Sequence, residues 1–385
     1  MLPNKNKLPT NWSNGMKMSR QNFIDSETSF FASIHDAIAI SRTNYNYGLL
    51  EHADGQKSSL EVEVIKSQAD NFLIKLSICR AITAGGIRIE INPEVCVELT
   101  LNEKVDYRAL KNNPNPHFFL VISVDYSERV PFGPPSPDEF PARHPFAAPF
   151  YQLHVLEANE VNHKELGKNH LCIGKFKLKN EELVWDTAYI PPSSSIKSFP
   201  KLRQDYNNFA NHLNSIQTAT YSIIQKVINK NQNLPLAFNV KYVCEKIVYV
   251  VSSLFFTFRF KLHQLPPIEL VDKLVIVANQ FKMAMDFLPE KEKEDLQLYF
   301  KEWTDISPGR FDELLASVIE VDYDHENISD TLIPLAEFLN VTSDLFQKLD
   351  ELELIGKRKE SNAFVREISG NQNSGPKKKG FSLLD

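Results

Sequence analysis

The stretch YIPPSSSIKSFPKL, residues 189–202, separates two halves of the chain that differ in their hydrophobic periodicity. Pro191, Pro192 and Pro200 fix φ and remove three backbone donors, so neither a helix nor a central strand can run through this stretch. A proline-stiffened segment keeps the relative orientation of its neighbours better than a Gly/Ser linker does. We therefore predict an ordered joint at 189–202.

The half before the joint has the period-two pattern of antiparallel strands. Apolar and polar residues alternate in the segments 60–64, 72–78, 87–91, 95–101 and 151–155. This pattern predicts a β-sandwich of about eight or nine short strands, each with one apolar face. Gly85-Gly86 predicts a hairpin turn between two strands. A capping-type start and helical spacing predict one helix at 26–44.

The half after the joint has helical periodicity. Its first apolar residues are spaced alternately four and three apart, at Leu202, Tyr206, Phe209, Leu213, Ile216, Thr220, Ile223 and Val227. This heptad pattern predicts a long helix with a buried seam. Residues 240–262 are apolar almost all round, which predicts a helix covered on several sides. Further helices are predicted at 271–288 and 329–354, and Pro235, Pro267 and Pro308 mark turns.

These patterns predict an α+β chain, with an N-terminal antiparallel β-sandwich followed by a C-terminal α-helical bundle and a short helical and disordered C-terminal part. The 385 residues are enough for two or three domains with cores of their own. The predicted divisions are a sandwich at 1–188, the joint at 189–202, a bundle at 203–305, C-terminal helices at 306–355 and a disordered tail at 356–385.

The composition is typical of a globular intracellular protein. A net charge of -6 gives no electrostatic case for binding nucleic acid or an anionic membrane. Cys79, Cys96, Cys172 and Cys244 form no CxxC pair and lie in apolar stretches, which predicts buried free thiols in a reducing compartment. No signal peptide is evident, and the apolar run at 247–258 is shorter than the roughly 20 residues that span a bilayer. We expect a cytoplasmic protein without direct membrane insertion.

No pattern in the sequence indicates catalysis. His144, His154, His163 and His170 lack the spacing of a metal site, and so does the acidic segment VDYDHEN at 321–327. No GK[ST] follows Gly85-Gly86, and no GxGxxG or GxSxG motif occurs. The sequence therefore predicts no catalytic residues, no cofactor and no metal, and a chain that is not an enzyme.

Four stretches carry a resemblance, NWSNGMKMSRQNF (11–23), VPFGPPSPDEFPARHPF (130–146), the joint itself and HQLPPIELVDKLVIVANQF (263–281). In this order they resemble the TssK family, the trimeric baseplate subunit of type VI secretion systems. The joint is similar to the family's Ile-Pro-Pro junction, and Ala278 stands at its small mid-helix residue. Asn22 replaces a frequent histidine, and the residues after Trp303 are too few for the family's C-terminal head domain. The resemblance is to a divergent member.

The resemblance implies a structural adaptor that links the baseplate wedge to the membrane-anchored complex. It implies a homotrimer, and the heptad seam and the apolar helix supply its predicted contact residues, Phe209, Leu213, Ile216, Ile223, Val250 and Leu254. It also implies that the sandwich half binds wedge subunits of the TssF and TssG type. The apolar opening supplies the predicted wedge-binding residues, Trp12, Gly15, Met16 and Phe23. The alternative is that Trp12 and Met16 fill the sandwich core.

Docking toward the membrane complex is the third implied contact. Since we expect no head domain of the family's kind, we expect the helix at 329–354 and the tail residues Phe381, Leu383 and Leu384 to supply this contact. An ordinary frayed terminus is the alternative for this tail. At the level of function, the alternatives are an enzyme of unrecognised type and a phage-type β-sandwich receptor- or carbohydrate-binding protein. The latter predicts exposed aromatic residues on the sandwich.

Overall fold

A computed structural model describes residues 8–52, 58–66, 71–92, 101–106, 110, 117–158, 161, 166–304 and 306–359 of the chain. The chain divides into two compact units, residues 1–186 and 187–385. The second unit begins with Thr187 and Ala188, which are exposed, and then continues into a buried segment from Tyr189 onward.

The first sheet of the N-terminal unit is organised around one long strand. Strand β3 (Asn71–Ile82) pairs antiparallel with β1 (Gly48–Leu49), β2 (Leu60–Lys66), β4 (Arg88–Ile91) and β5 (Leu101–Asp106). Phe72, Ile74 and Leu76 of β3 are buried, because alternate side chains of a strand point to the same face. The period-two pattern of the sequence therefore corresponds to one buried face.

The second sheet has the strand order β7-β6-β8-β9. Its antiparallel strands are β6 (His117–Phe132), β7 (Phe146–Glu157), β8 (His170–Lys179) and β9 (Glu182–Trp185). Leu120, Ile122 and Ile173 of this sheet are buried. The backbone N–H of Glu90 on β4 donates to the hydroxyl of Tyr151 on β7 at 3.5 Å, which joins the two sheets. The predicted antiparallel β-sandwich is confirmed.

The connection between β3 and β4 is the predicted hairpin at Gly85-Gly86. Gly86 has a φ of +84°, in the left-handed region that favours glycine, and its N–H donates to the Thr83 carbonyl at 2.8 Å. The N–H of Thr83 donates to the Ile87 carbonyl at 2.9 Å, so the turn closes directly onto the two strands.

Helix α1 (Arg20–Ala39) precedes the sheets and starts earlier than the sequence predicted. A helix was predicted at 26–44, and a helix is present, but it begins at Arg20 and ends at Ala39. The N–H of Asn22 donates to the Ser19 hydroxyl at 3.4 Å, and the N–H of Ser19 donates to Asn22 Oδ1 at 3.0 Å. This reciprocal pair is a capping box in which asparagine replaces the usual glutamate or glutamine, so the sequence pattern was missed.

The C-terminal unit is helical. Its α-helices are α2 (Pro200–Asn229), α3 (Pro235–Phe260), α4 (Pro267–Asp286), α5 (Glu290–Thr304), α6 (Pro308–Ile319) and α7 (Ile328–Glu351). Helices α2, α3, α4 and α6 carry a proline in the first turn. Backbone N–H groups of the first turn have no carbonyl partner within the helix, so a proline there breaks no helical hydrogen bond. The proline-marked turns of the sequence are therefore helix starts.

The heptad seam of α2 is buried in a core to which every helix from α2 to α7 contributes. All eight residues of the seam are buried, including the polar Thr220. Thr220 is accommodated because its hydroxyl donates to the Ile216 carbonyl at 2.7 Å. The ring of Tyr206 stacks on Phe258 of α3, with centroids 5.7 Å apart. The predicted fold class, a β-sandwich followed by a helical bundle, is confirmed.

The proline-rich segment before α2 is built into this helical unit. Ile190 and Ile196 are buried in the same core as the helices. The N–H of Ile190 donates to the Ser329 hydroxyl at 2.7 Å at the start of α7, and the N–H of Ile196 donates to the Leu265 carbonyl at 3.0 Å before α4. The segment is therefore ordered by its contacts with the helices. The predicted ranges 189–202, 203–305 and 306–355 all contribute residues to one core.

Candidate protein-interaction surfaces

Two histidines make local contacts with neighbouring polar groups. His144 donates from Nδ1 to the Gly133 carbonyl at 2.6 Å, and Nδ1 of His325 lies 2.7 Å from the Tyr323 hydroxyl. His163 lies outside the described residues. Within the described ranges, no group of three or more His, Cys, Asp or Glu side chains is placed to hold a metal ion.

The cysteines are buried where the structure describes them. Cys79, Cys172 and Cys244 are free and buried, as predicted, and Cys96 lies outside the described residues. Burial, with a smaller contribution from Glu90, raises the pKa of the Cys79 thiol to about 12. A thiol with so high a pKa is almost entirely protonated near neutral pH and is a poor nucleophile.

The residues before α1 form a turn that presents an aromatic pair at the surface. Gly15 has a φ of +78° at the third position of a turn closed by the Met16 N–H, which donates to the Ser13 carbonyl at 3.2 Å. The Trp12 ring packs on Phe23 of α1 with centroids 5.8 Å apart, and the two residues are 49% and 53% exposed. Trp12 therefore does not fill the sandwich core. The four predicted wedge-binding residues lie together around the start of α1.

Helix α1 extends this pair into an apolar face. Phe30, Ile34 and Ile38 are 66%, 52% and 43% exposed. With Phe23 they are spaced 7, 4 and 4 residues apart, which places them on one face of the helix. Monomeric proteins rarely leave a contiguous apolar patch of this kind uncovered. We define the N-terminal apolar surface as Trp12, Phe23, Phe30, Ile34 and Ile38.

Two contacts tie α1 to strand β6. Nη1 of Arg129 lies 2.6 Å from Oε2 of Glu27 in an ion pair, and the Tyr126 ring meets Phe31 edge-on with centroids 4.7 Å apart. Burial raises the pKa of Tyr126, which is consistent with its partly covered position beside the helix. The apolar surface is thus carried by a helix that is attached to the sheet.

An open cleft of about 890 Å³ lies beside the start of α1. It is lined by Arg20 and by the loop between β6 and β7. In that loop Phe140 is fully exposed, and Phe146 at the start of β7 is 67% exposed. Arg143 binds both carboxylate oxygens of Glu139, at 2.6 and 2.9 Å, and this pairing lowers the pKa of Glu139. The cleft therefore combines exposed aromatic rings with arginine side chains, of which Arg143 is paired with Glu139 and Arg129 with Glu27.

The residues predicted to form the trimer contact lie inside the helical unit. Phe209, Leu213, Ile216, Ile223 and Leu254 are buried, and Val250 is partly buried against the same core. The heptad spacing of the four residues on α2 is explained by the packing of that helix on other helices of the same chain. Because a buried side chain offers no surface to a second chain, we revise this assignment.

The outer side of α3 carries aromatic residues that the sequence analysis did not separate from the core. Phe238, Tyr249, Phe256 and Phe260 are 50%, 82%, 61% and 51% exposed. Because the helix is apolar almost all round, the sequence pattern did not show which apolar residues are exposed. The spacing of the aromatic residues alone places them on one side of the helix. Despite this apolarity, no helix among the described residues is long and apolar enough to cross a bilayer.

Comparison with known proteins finds a likeness in structure. No family model and no curated protein sequence matches this chain. A crystal structure of TssK aligns with 88% of this chain and 72% of its own, at a TM-score of 0.52 and 14% identity. A chain of the baseplate complex from the type VI secretion system aligns over 88% of this chain and 99% of its own, at a TM-score of 0.50 and 13% identity. The fold is TssK-like.

The TssK-like fold extends over both units, since the aligned share of the chain exceeds either unit alone. Of the four stretches that resemble TssK, residues 11–23 form the exposed turn and the start of α1. Residues 130–146 span the end of β6, the loop after it and the start of β7, and residues 263–281 comprise the turn before α4 and most of α4 itself. These stretches therefore lie at connections and helix starts.

The residues predicted for docking toward the membrane complex are only partly described. Phe381, Leu383 and Leu384 lie outside the described residues. The helix predicted at 329–354 is α7, and most of its apolar side chains are buried in the helical core. Ile333 is an exception, because it is 61% exposed.

Proposed function

We propose that this chain is a structural adaptor subunit of a type VI secretion baseplate. In this role it links the baseplate wedge to the membrane-anchored complex and acts in the cytoplasm without catalysis. The observation that carries the proposal is the TssK-like fold over both units. A subunit that positions other proteins needs interaction surfaces, and the N-terminal apolar surface has the exposure expected of one.

The wedge contact is assigned to the N-terminal apolar surface. Trp12 and Phe23 form a half-exposed aromatic pair, and aromatic anchors carry much of the binding energy in protein interfaces. The turn at Gly15 and Met16 sets the position of Trp12 ahead of the helix. The proposed partners are wedge subunits of the TssF and TssG type.

Co-purification tests this contact. The tagged full-length chain should retain co-expressed TssF- and TssG-type subunits, and Trp12→Ala combined with Phe23→Ala should reduce the retained amount by about tenfold or more. Ile65→Ala on β2, where Ile65 is 40% exposed, is the matched control and should retain them. If the double variant folds normally and still retains the wedge, the contact lies elsewhere. If the wild type retains none, the adaptor function itself fails.

A homotrimer is the proposed working form of the chain. The buried heptad seam of α2 does not support it, whereas the exposed aromatic side of α3 leaves surface that a second chain can cover. Light scattering of the purified chain at micromolar concentration should give the mass of three copies. A stable monomer under these conditions would contradict the proposal.

Docking toward the membrane complex is proposed for the tail residues Phe381, Leu383 and Leu384. A short apolar motif after a polar stretch can add a strand or a short helix to a partner, and three copies raise the avidity. Deleting 376–385 should leave the oligomer and wedge binding intact and weaken secretion. A deletion strain that secretes normally would remove the tail from this role.

A phage-type β-sandwich receptor- or carbohydrate-binding protein is the second candidate. Its specific support is the cleft beside α1, where Phe140 and Phe146 are exposed. Glycan binding that is lost in Phe140→Ala, together with failure to retain wedge subunits, would favour this candidate over the adaptor.

A further inference from the structure

We propose that an exposed aromatic stripe on α3 is the contact through which copies of this chain associate side by side in parallel. The stripe consists of four exposed side chains, Phe238, Tyr249, Phe256 and Phe260, and of Tyr242, which lies between them and is half-buried against the core of its own unit. The inference rests on the proposed homotrimer and deepens it by naming the residues that meet.

The stripe occupies one narrow face of α3. At about 100° per residue, the five side chains leave the helix within roughly 40° of one another and opposite its buried face. Gln217 of α2 donates to the Ser252 hydroxyl at 2.9 Å, and Asn239 of α3 donates to Glu292 of α5 at 2.9 Å. These bonds attach α3 to a neighbouring helix on each side, so the four exposed rings of the stripe face away from the core of its own unit.

The spacing of the stripe is that of a helix packed lengthwise on another helix. Its five residues are separated by 4, 7, 7 and 4 positions. Tyr242, Tyr249 and Phe256 repeat every seven positions, the period that keeps side chains against a partner helix along a coiled coil. The positions halfway between them hold small or charged residues, Glu245 and Ser252. A crossing contact would need only a short cluster, whereas this stripe runs from Phe238 to Phe260.

The charges beside the stripe favour parallel copies. Glu245 and Lys246 lie on opposite sides of the stripe and at nearly the same position along the axis of α3. In a parallel ring, the side of one helix that carries Glu245 faces the side of the next that carries Lys246, whereas antiparallel pairing brings like sides together. Within the chain, Glu245 pairs with Lys241 at 2.7 Å, and the Lys246 ammonium lies 5.2 Å from the centroid of the Tyr242 ring. These exposed contacts leave both charges accessible to a neighbouring copy.

The residues next to the stripe permit close approach. Ser252 and Ser253 are small and exposed, and their hydroxyls donate within the helix to the Val248 and Val250 carbonyls at 2.6 Å each. A neighbouring helix can therefore cover them without leaving a hydroxyl proton unpaired.

The exposed area is sufficient for a specific contact. A covered aromatic side chain buries about 150–250 Å². At the exposures found here, the stripe offers on the order of 500 Å² per chain. That is the larger part of the roughly 800 Å² per partner that a stable interface needs.

Cysteine crosslinking tests the parallel arrangement. Tyr242→Cys and Phe256→Cys, each introduced alone into the full chain, should form covalent dimers on oxidation, because identical residues meet in parallel copies. Antiparallel copies would link only when the two variants are mixed, and that result would overturn the proposal. Ile276→Cys on α4, where Ile276 is 40% exposed, is the matched control and should not crosslink. The wild type gives the background from native thiols, and Cys79, Cys172 and Cys244 are buried.

Disrupting the stripe tests whether it holds the oligomer. Tyr249→Ser combined with Phe256→Ser should convert the oligomer to a monomer in light scattering with an unchanged circular dichroism spectrum. Phe287→Ser, at a residue that is 67% exposed at the end of α4, should stay oligomeric. An oligomer that survives the stripe variant overturns this inference but leaves the homotrimer standing. A monomeric wild type overturns both.

Charge exchange provides a further check. Glu245→Lys should lower the oligomeric fraction because it places two cationic sides together. Adding Lys246→Glu should restore that fraction, since the two sides are again opposite in charge. A double variant no more oligomeric than the single variant would contradict parallel pairing.

Discussion

Helices α2 and α1 both carry apolar residues at helical spacing, but the chain itself covers those of α2 and leaves those of α1 exposed. In α2, Leu213 and Ile216 are fully buried by helices of the same chain. In α1, Phe30 and Ile34 are 66% and 52% exposed, although the helix is attached to β6. An apolar stripe in a sequence thus predicts a surface that will be buried. It does not show whether the same chain or a partner protein buries it.

Helix α3 combines both situations in one element. One face contributes Val243, Ile247 and Phe258 to the core of the helical unit, and the opposite face leaves Tyr249 and Phe256 exposed. The comparison between α2 and α1 can therefore be tested by asking which substitutions change folding and which change association.

The largest expected effect is at the buried seam. Ile216→Asp places an unpaired charge in the core of the helical unit, which should cost several kcal/mol and unfold it. Thermal unfolding followed by circular dichroism checks this, with the exposed Asn208→Asp on the same helix as a control that should melt like the wild type. A folded but monomeric Ile216→Asp would show that the seam joins chains instead.

High pH should also weaken the core of the helical unit. Burial raises the pKa of Tyr206 and of Tyr299 from 10 to about 12. Because the folded state favours the protonated phenols, their contribution is complete below pH 10 and is lost as the pH rises from 10 toward 12. Denaturant unfolding across this range should show a falling free energy of unfolding. An equal fall in a Tyr206→Phe, Tyr299→Phe variant would assign the loss to other groups.

A smaller effect is expected from the Tyr206 hydroxyl alone. It donates to the Phe258 carbonyl in the last turn of α3, where carbonyls lack a helical N–H partner. Tyr206→Phe keeps the stacked ring and leaves that carbonyl without its donor, so the free energy of unfolding should fall by about 1 kcal/mol. No change in urea unfolding would mean that water replaces the donor without cost.

The smallest effect on stability is expected on α1. Phe30→Ser should change the free energy of unfolding by less than about 0.5 kcal/mol, because the side chain already faces solvent. The same variant should weaken retention of wedge subunits. A loss of stability comparable to that of a core substitution would show that Phe30 is covered within the chain.

The sequence predicted those features that depend on local pattern. Alternation along β3 and the turn at Gly86 are local signals, and the structure confirms them. Pro235, Pro267 and Pro308 were read as turns and are the first residues of helices, and Pro200, which was placed in a stretch without helix, begins α2. The start of α1 was missed because Asn22 takes an uncommon part in its cap. The contact residues on α2 were assigned to another chain because periodicity does not carry the long-range information on which helices lie beside it.

Hydrogen exchange of the full chain, alone and bound to TssF- and TssG-type wedge subunits, compares the two helices most directly. The amides of α1, residues 20–39, should gain protection when the wedge binds. The amides of α2, residues 200–229, should exchange slowly and equally in both states, because their helix is already buried within the chain. A stable complex in which the exchange of α1 is unchanged would contradict the account.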